Sequence, residues 1–395
     1  MTAEGQSITR KLSADSTSNG TCSIWQRLTQ RFGRVTSGGR LVPCVDGLRC
    51  IAIMAVMLYH LNGFVVQKAI GFTEQEARET AVFHWLHGAN CGVQVFFSIS
   101  GFILALPFAR EKNGGRTVEL KSYYFRRLTR LEPPFLLNLL VVFALLILVK
   151  HQTAAELWAP FLATMTYTHN WFYGELSRIN GVTWSLEMEV QFYLLAPFLA
   201  RAFFAMPRLN RRAVTIGIIA VFVAIKIAIP VDGSLRLRLG LLYVLDHFLA
   251  GILLADVFVC DWLESPVKSK TWDIATLPLL LLIFAIQRSD LLLHLLPSLT
   301  AGLLACAIRG HWTNKVLSLR LIVIVGGMCY SIYLYHFFVI SLIGRYTLPL
   351  FAGHSYTTQF CLQSLMIVPA TIAVCSIFFL LIEKPFMQWR PFHQP

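Results

Sequence analysis

Charged residues are scarce in this chain. Only 14% of its 395 residues are Asp, Glu, Lys or Arg, whereas 56% are hydrophobic and the mean hydropathy is +0.60. Its apolar runs lack the polar face of a soluble core helix, and several approach the roughly 20 residues needed to span a bilayer. These properties exclude a soluble globular fold and predict an all-α polytopic membrane protein.

Metal, redox and nucleotide-binding patterns are also missing. The nine cysteines are scattered without a CxxC pair and read as small buried hydrophobes, and no Walker A, GxGxxG or HExxH pattern occurs. His84 and His87 have metal-compatible spacing but no evident third ligand, so we predict no metal site. The net charge of +13 is better explained by basic cytoplasmic segments than by nucleic-acid binding, and no nucleic-acid partner is expected.

Hydropathy predicts about ten transmembrane helices with both termini in the cytoplasm. The spans lie near residues 44–66, 92–110, 134–150, 184–204, 213–230, 238–258, 273–287, 291–309, 320–345 and 361–383. This topology places 24 of the 34 Lys and Arg in cytoplasmic segments and eight in outer segments, in agreement with the positive-inside rule. An eleventh span at 157–173 would violate that rule, so this segment is expected to be re-entrant or packed in an outer loop.

The two ends of the chain differ from the apolar region between them. Residues 1–40 form a basic tail that is expected to be disordered, and segment 24–34 is either an interfacial helix or a basic stretch that only enforces topology. The membrane domain is predicted for 41–386, and 387–395 form a short tail. Because no cleavable signal peptide is recognisable, the first span is expected to be an uncleaved anchor in the cell membrane.

Ionisable residues within or beside the spans are the first candidates for function, because each is costly in a bilayer. Arg49 and His60 share one face of the first span, since eleven residues at about 100° each return to within about 20° of the starting direction. Arg126, Arg127 and Arg130 precede the third span on the cytoplasmic side, where Arg49 also lies. Guanidinium groups bind phosphate oxygens in a bidentate manner, so this inner layer is predicted to hold the phosphates of a donor.

A second group of ionisable residues is expected nearer the outer surface. His60, Glu189 of the fourth span and His336 of the ninth fall at similar depth, and a carboxylate beside an imidazole is the usual arrangement of a general base. Glu189 is expected either to orient His60 or to bind the acceptor. We interpret His336 as mainly structural, although it is also a candidate for lining the substrate path.

Four further residues are candidates for lining that path. Ser98 and Ser100 lie in the second span, although a serine hydroxyl within a helix more often bonds to the backbone. Asp246 and His247 lie in the middle of the sixth span and must face protein or water, so a substrate-lining role is one interpretation of both.

Six motifs, in this order, resemble those of the membrane acyltransferase-3 family. They are VDGLRCIAIMAVMLYH (45–60), GVQVFFSISGF (92–102), RRLTRLEPPF (126–135), WSLEMEVQFYLLAP (184–197), YSIYLYH (330–336) and EKP (383–385). The chain departs from the family pattern at Cys50, where glycine is commoner, and at Val190, where a second glutamate is frequent. Glu187 is an additional acidic residue near Glu189.

The resemblance implies a ten-helix membrane enzyme that transfers an acyl group, usually acetyl from acetyl-CoA, to a hydroxyl. Typical acceptors are carbohydrates of cell-surface or exported polysaccharides, and a macrolide or another small molecule is the alternative. The residues associated with activity in the family correspond to Arg49, His60, Arg127 and Arg130. The expected partners are therefore acyl-CoA, a carbohydrate acceptor and membrane lipid, with acetyl-CoA as donor substrate and no metal.

Several alternatives stay open from the sequence. His60 either deprotonates the acceptor for direct attack or carries the acyl group as a covalent intermediate, and a succinyl donor would use the same residues. A polytopic transporter is the main alternative class, because ionisable residues within spans also mark proton relays. A catalytically inactive scaffold is a third. No soluble SGNH-type domain is expected after the last span, which leaves the acceptor to be served from the membrane core.

Overall fold

The computed structural model describes residues 32–33, 42–68, 70–229, 234–263, 267–285 and 293–389, and these residues form helices and no β-strand. The first half contains α1 (Pro43–Lys68), α2 (Glu74–Arg78), α3 (Ala81–Gly88), α4 (Gly92–Lys112), α5 (Leu120–Leu148), α6 (Ala154–Met165), α7 (His169–Tyr173) and α8 (Trp184–Ala205). The second half contains α9 (Arg208–Ala228), α10 (Leu235–Arg238), α11 (Leu241–Val257), α12 (Lys270–Ala285), α13 (Leu296–Arg309), α14 (Trp312–Leu317), α15 (Arg320–Gly327), α16 (Cys329–Thr347), α17 (Tyr356–Phe378) and α18 (Lys384–Gln388).

Six helical stretches among the described residues are long and apolar enough to cross a membrane. They are Pro43–Lys68, Ala81–Lys112, Leu120–Leu148, Leu235–Trp262, Cys329–Phe351 and Tyr356–Gln388. The all-α polytopic class is confirmed in this coarser form. The other four predicted spans fall on α8, α9, α12 and α13, so the total of ten and the cytoplasmic termini stay predictions. Apart from 32–33, the N-terminal tail with its proposed interfacial helix at 24–34 lies outside the described residues, as does 390–395.

Helix α5 runs without interruption through Pro133 and Pro134. A proline inside a helix removes a backbone hydrogen bond and weakens the turn before it. Two tyrosines of α16 lie against this turn. Tyr330 Oη donates to the carbonyl of Leu131 at 2.9 Å, and Tyr335 Oη donates to the carbonyl of Pro134 at 3.3 Å. These bonds fasten α5 to α16 immediately after the arginine cluster.

Segment 157–173 forms a short helix and a turn. Helix α6 has 12 residues and is about 18 Å long, which is well short of a hydrocarbon core of about 30 Å. The chain reverses at Tyr167, whose φ of 57° lies in the left-handed region. The Tyr167 ring stacks on Phe135, and its hydroxyl donates to Glu132 at 2.9 Å. The segment therefore packs against α5 and is too short to be an eleventh span.

Ion pairs join α9 to α11. Lys226 donates to Asp246 at 2.6 Å, and nearer the start of α9 both Arg211 and Arg212 bind Asp256. Little of α9 is otherwise buried in the protein. These charge pairs therefore fasten α9 to α11, because few other side chains of α9 are buried against the protein.

Helices α4 and α11 cross with their backbones in contact. A Cβ added to Gly101 of α4 would lie 2.1 Å from the carbonyl oxygen of Phe248, and one added to Gly251 of α11 would lie 2.2 Å from that of Ser98. Small residues permit such close approach between membrane helices. The crossing fixes the position of α4, which carries Ser100.

Gly251→Ala is expected to lower the free energy of unfolding by about 2 kcal/mol or more, because the added methyl group meets a backbone oxygen that cannot rotate away. Gly217→Ala is the matched control, since no atom lies within 4 Å of its Cβ and alanine is preferred to glycine inside a helix by roughly 0.5–1 kcal/mol. Thermal unfolding of the detergent-solubilised protein measures both. A Gly251→Ala midpoint equal to or above that of Gly217→Ala would contradict the close crossing.

Candidate active site

In the described part of the chain, two cavities with ionisable side chains in their walls lie along α1. The interior cavity has a volume of about 60 Å³, enough for a few water molecules, and Arg49 lines it. The second is an open cleft of about 990 Å³ on the side where α1 ends, and His60 lines it. A single helix therefore presents its arginine to one cavity and its histidine to the other, roughly 16 Å apart along the helix axis.

The interior cavity combines guanidinium, carboxylate and hydroxyl groups from five helices. Its polar lining residues are Arg49, Ser100, Arg130, Ser185, Glu189, Tyr193, Tyr330 and Tyr333. The hydroxyls of Ser100 and Tyr193 donate to Glu189, and those of Tyr330 and Tyr333 donate to backbone carbonyls. The two guanidinium groups are therefore the donors in this wall that are suited to stabilising negative charge on an oxygen atom.

Both arginines of the interior cavity lie near a buried carboxylate. Arg49, which is 6% exposed, donates to Asp46 at 3.2 Å. Arg130 Nε lies 3.9 Å from Oε1 of Glu383, and the other oxygen of Glu383 accepts a hydrogen bond from Ser331 at 2.7 Å. An uncompensated buried charge is strongly destabilising. Asp46 and Glu383 therefore allow two cations to stand beside an otherwise apolar core.

Glu189 lies in the interior cavity with the arginines, not in the cleft with His60. Its carboxylate accepts hydrogen bonds from Ser100 at 2.7 Å and from the Tyr193 hydroxyl. The sequence placed Glu189 at the depth of His60, so the structure corrects this expected depth.

The level at which α8 begins explains the correction. Ser185, in the first turn of α8, lies 3.0 Å from the hydroxyl of Tyr333, and Tyr333 precedes His336 by three residues, or about 4.5 Å along α16. Glu189 follows Ser185 by four residues, which is roughly 6 Å further along α8, and it lines the interior cavity. Counting residues from the predicted membrane surface therefore places Glu189 too close to His60.

Arg127 and Arg130 face different cavities. Arg127 lines a groove of about 500 Å³ on the flank of α5 and α8, and its guanidinium lies 5.6 Å from the ring centroid of Tyr193. Tyr193 and Leu131 line both this groove and the interior cavity, so the two spaces share a wall. Arg126 donates to Ser122 at 2.8 Å and is absent from the described lining of both spaces.

His60 lies among aromatic rings where it lines the cleft. Its ring centroid is 5.1 Å from that of His336, 5.2 Å from Tyr59 and 5.6 Å from Phe337. His336 is fully buried, and its Nδ1 lies 2.8 Å from the carbonyl oxygen of Tyr333. Because a carbonyl only accepts, we assign the proton to Nδ1, which leaves the Nε2 lone pair as an acceptor. Among the described residues this Nε2 has no hydrogen-bond partner.

His336 also lies between the two cavities. Its ring centroid is 6.4 Å from that of Tyr333, which lines the interior cavity, and 5.1 Å from that of His60 in the cleft. The interpretation of His336 as mainly structural did not include this position, because the sequence of neither α1 nor α16 shows that the two helices lie side by side.

The other predicted lining residues divide between the cavity and the protein core. Ser100 lines the interior cavity, whereas Ser98, Asp246 and His247 are absent from the described linings of the interior cavity and the cleft. The Ser98 hydroxyl lies 2.7 Å from that of Thr300. Asp246 and His247 are 0% and 4% exposed, so both face protein as expected.

Sequence reasoning missed several polar residues of the site. Tyr193, Tyr330, Tyr333 and Glu383 all fall within the motifs quoted above, so a hydroxyl or carboxylate in an otherwise apolar span was the available signal. His87 lines the cleft, and the described residues contain no group of three His, Cys, Asp or Glu suited to a metal ion.

A family model described as an acyltransferase domain matches residues 42–380, which is most of the chain. The chain belongs to the acyltransferase-3 family. The matched range contains every residue that lines the interior cavity and the cleft. It ends just before Glu383, the carboxylate that faces Arg130.

Relatives of this acyltransferase-3 chain carry O-acetyltransferase names. The "Putative O-acetyltransferase SACOL0978" of Staphylococcus aureus (strain COL) is 25% identical over 389 residues, covering 90% of this chain and 60% of the relative. The O-acetyltransferase OatA of Staphylococcus aureus (strain NCTC 8325 / PS 47) is 25% identical over 334 residues, covering 78% and 52% respectively. The chain thus spans about 60% of the length of the first of these relatives. No solved structure matches.

Asp246→Asn is expected to lower the free energy of unfolding by about 3 kcal/mol or more. The fully buried carboxylate of Asp246 pairs with Lys226, and the substitution leaves the lysine charged without that partner. The double variant Asp246→Leu with Lys226→Met leaves no buried charge and is expected to recover most of that loss. Thermal unfolding and acyl transfer are measured on both. A stable double variant without acyl transfer would show that Asp246 serves the substrate rather than the packing of α9.

Proposed function

We propose that this chain is an integral membrane O-acetyltransferase of the cell membrane, with ten spans and cytoplasmic termini. It moves acetyl from acetyl-CoA to a hydroxyl of a carbohydrate, one that belongs to a cell-surface or exported polysaccharide. Membership of the acyltransferase-3 family and the names of the relatives support the reaction class. The main structural support for the proposal is the position of α1. This helix lines the interior cavity with Arg49 and the open cleft with His60.

The donor approaches from the side where α1 and α5 begin. Arg127 in the flank groove and Arg130 in the interior cavity hold the phosphates of CoA, assisted by Arg49 and by Arg126 near the start of α5. An interior cavity of about 60 Å³ is too small for the pantetheine arm. Donor binding therefore requires side chains to move, and Tyr193 and Leu131 form the wall that the two spaces share.

The acceptor enters the cleft and presents its hydroxyl to His60. In direct transfer, one ring nitrogen of His60 takes the hydroxyl proton while the oxygen attacks the thioester carbonyl, and the C–S bond breaks to release CoA as a thiolate that is then protonated. In the covalent route, that nitrogen attacks the thioester carbonyl first, and the C–S bond breaks to release CoA as a thiolate. The acceptor oxygen then attacks the acetyl carbonyl, the N–C bond to His60 breaks, and the freed nitrogen takes the hydroxyl proton. The Nε2 acceptor of His336 suits either route, because a bond from the other His60 nitrogen would orient the ring.

His60→Ala is expected to reduce acetyl transfer by roughly 10²–10⁴-fold, which is the usual loss when a general base is removed. The measurement follows radiolabel from acetyl-CoA into glycan and small-molecule fractions of membranes with matched expression. His354→Ala, an exposed histidine outside both cavities, is the control and should retain activity.

Transfer into the glycan fraction that vanishes only with His60→Ala supports the proposal, and label in small molecules instead would move the acceptor to that class. Undiminished transfer by His60→Ala would remove this residue from the mechanism. Failure of the wild type to bind acetyl-CoA would exclude this donor, and succinyl-CoA would be the next donor to test.

Arg127→Met is expected to raise the KM for acetyl-CoA by roughly tenfold or more while kcat changes little, because a charge-assisted bond to phosphate contributes about 1.5–3 kcal/mol. Arg116→Met, an exposed arginine between α4 and α5, is the control. Initial rates over a range of acetyl-CoA concentrations give both constants. A lower kcat at unchanged KM would place Arg127 in the chemical step and not in phosphate binding.

A further inference from the structure

Positive side chains converge on the cleft that contains His60. The proposed ten-span topology leaves eight Lys and Arg in outer segments, and four of them line this cleft: Lys68, Arg78, Lys150 and Arg345. They come from the end of α1, from α2, from the residues after α5 and from the end of α16. The positive-inside rule depletes the outer side of such residues, so it gives no reason for four separate segments to bring them together.

Most of this positive charge is not neutralised by the protein. Arg78 binds Glu74, which is the one carboxylate among the described residues that line the cleft. In the described part of the chain, Lys68, Lys150 and Arg345 have no carboxylate oxygen within 4.0 Å, and all three side chains are exposed. They are therefore available to bind a ligand, and their exposure indicates that they contribute little to packing.

The cleft is large enough for several sugar units, and its cations share that space with His60. At about 990 Å³ it lies at the upper end of the range for small-molecule sites, whereas the interior cavity admits only a few waters. Ammonium and guanidinium groups attract carboxylate and phosphate oxygens, and clefts lined by charge of one sign raise the local concentration of oppositely charged substrates.

We propose that the cleft selects an anionic acceptor, namely a glycan that carries carboxylate or phosphate groups near the hydroxyl to be acetylated. This inference rests on the proposed function, since it names the acceptor class of the same site. Lys68, Lys150 and Arg345 bind the anionic groups and so hold the acceptor hydroxyl at His60. None of the three takes part in the transfer of the acetyl group.

The test is equilibrium binding of fluorescently labelled oligosaccharides to the purified full chain in lipid nanodiscs. The probes are a hexuronic-acid oligomer, its carboxyl-reduced neutral counterpart and a polyol-phosphate oligomer of equal length. At least one anionic probe is expected to bind about tenfold or more tightly than the neutral one. The identity of the tighter anionic probe shows whether the cleft prefers carboxylate or phosphate groups. Higher salt should weaken that binding.

Three single variants identify the source of the preference. Lys68→Gln, Lys150→Gln and Arg345→Gln are each expected to raise the Kd for the preferred anionic probe by about threefold, and the triple variant by roughly 20-fold or more, with the neutral probe unaffected. Arg178→Gln is the matched control, because this exposed arginine lies outside the cleft and pairs with Glu175. Thermal unfolding confirms that each variant is folded.

Equal binding of the neutral and anionic probes, or an unchanged anionic preference in the triple variant, would overturn the inference. Acetyl transfer from acetyl-CoA to the same probes separates this result from failure of the proposed function. Transfer without any preference for charge would support the proposed enzyme activity and contradict the anionic acceptor. Charge-selective binding without transfer to any probe would support the anionic binding site and contradict the proposed reaction.

Discussion

Two guanidinium groups held inside a membrane protein are the constraint on which the rest of the site depends. Arg49 and Arg130 stand beside an apolar core, where an uncompensated charge would be too costly to keep. Asp46, one turn before Arg49, meets the first requirement within α1 itself. Glu383 meets the second from Phe379–Glu383, the helical turn between α17 and α18, and this brings that turn against α5.

That requirement also organises the neighbouring helices. Ser331 of α16 donates to Glu383, Tyr330 of the same helix donates to the backbone of α5, and Ser185 of α8 lies against Tyr333. Polar bonds of this kind give membrane helices a specific arrangement that apolar burial alone does not supply. The interior cavity is the small space left where these bonded helices and α1 fail to fill the volume completely.

Local sequence signals predicted a good part of this arrangement. Helical class follows from hydropathy, and the shared face of Arg49 and His60 follows from helical periodicity, because both are properties of one segment. The depth of Glu189 did not follow, since it depends on where α8 starts relative to Tyr333 of another helix. Contacts between distant segments could not be predicted from the sequence either. The contact of His60 with His336 joins α1 to α16, and the cations of the cleft come from four separate segments of the chain.

The packing of α16 between the interior cavity and the cleft has a consequence for the cell. Tyr333 is half-buried and His336 is buried where α16 passes from the interior cavity to the cleft, and the interior cavity has room for only a few waters. In the proposed reaction, the acetyl group passes α16 at these residues, which are packed mainly against protein and not open to solvent. Under the proposed topology, such packing would limit the leak of ions and protons while a polymer is acetylated, and so would preserve the electrochemical gradient of the same membrane.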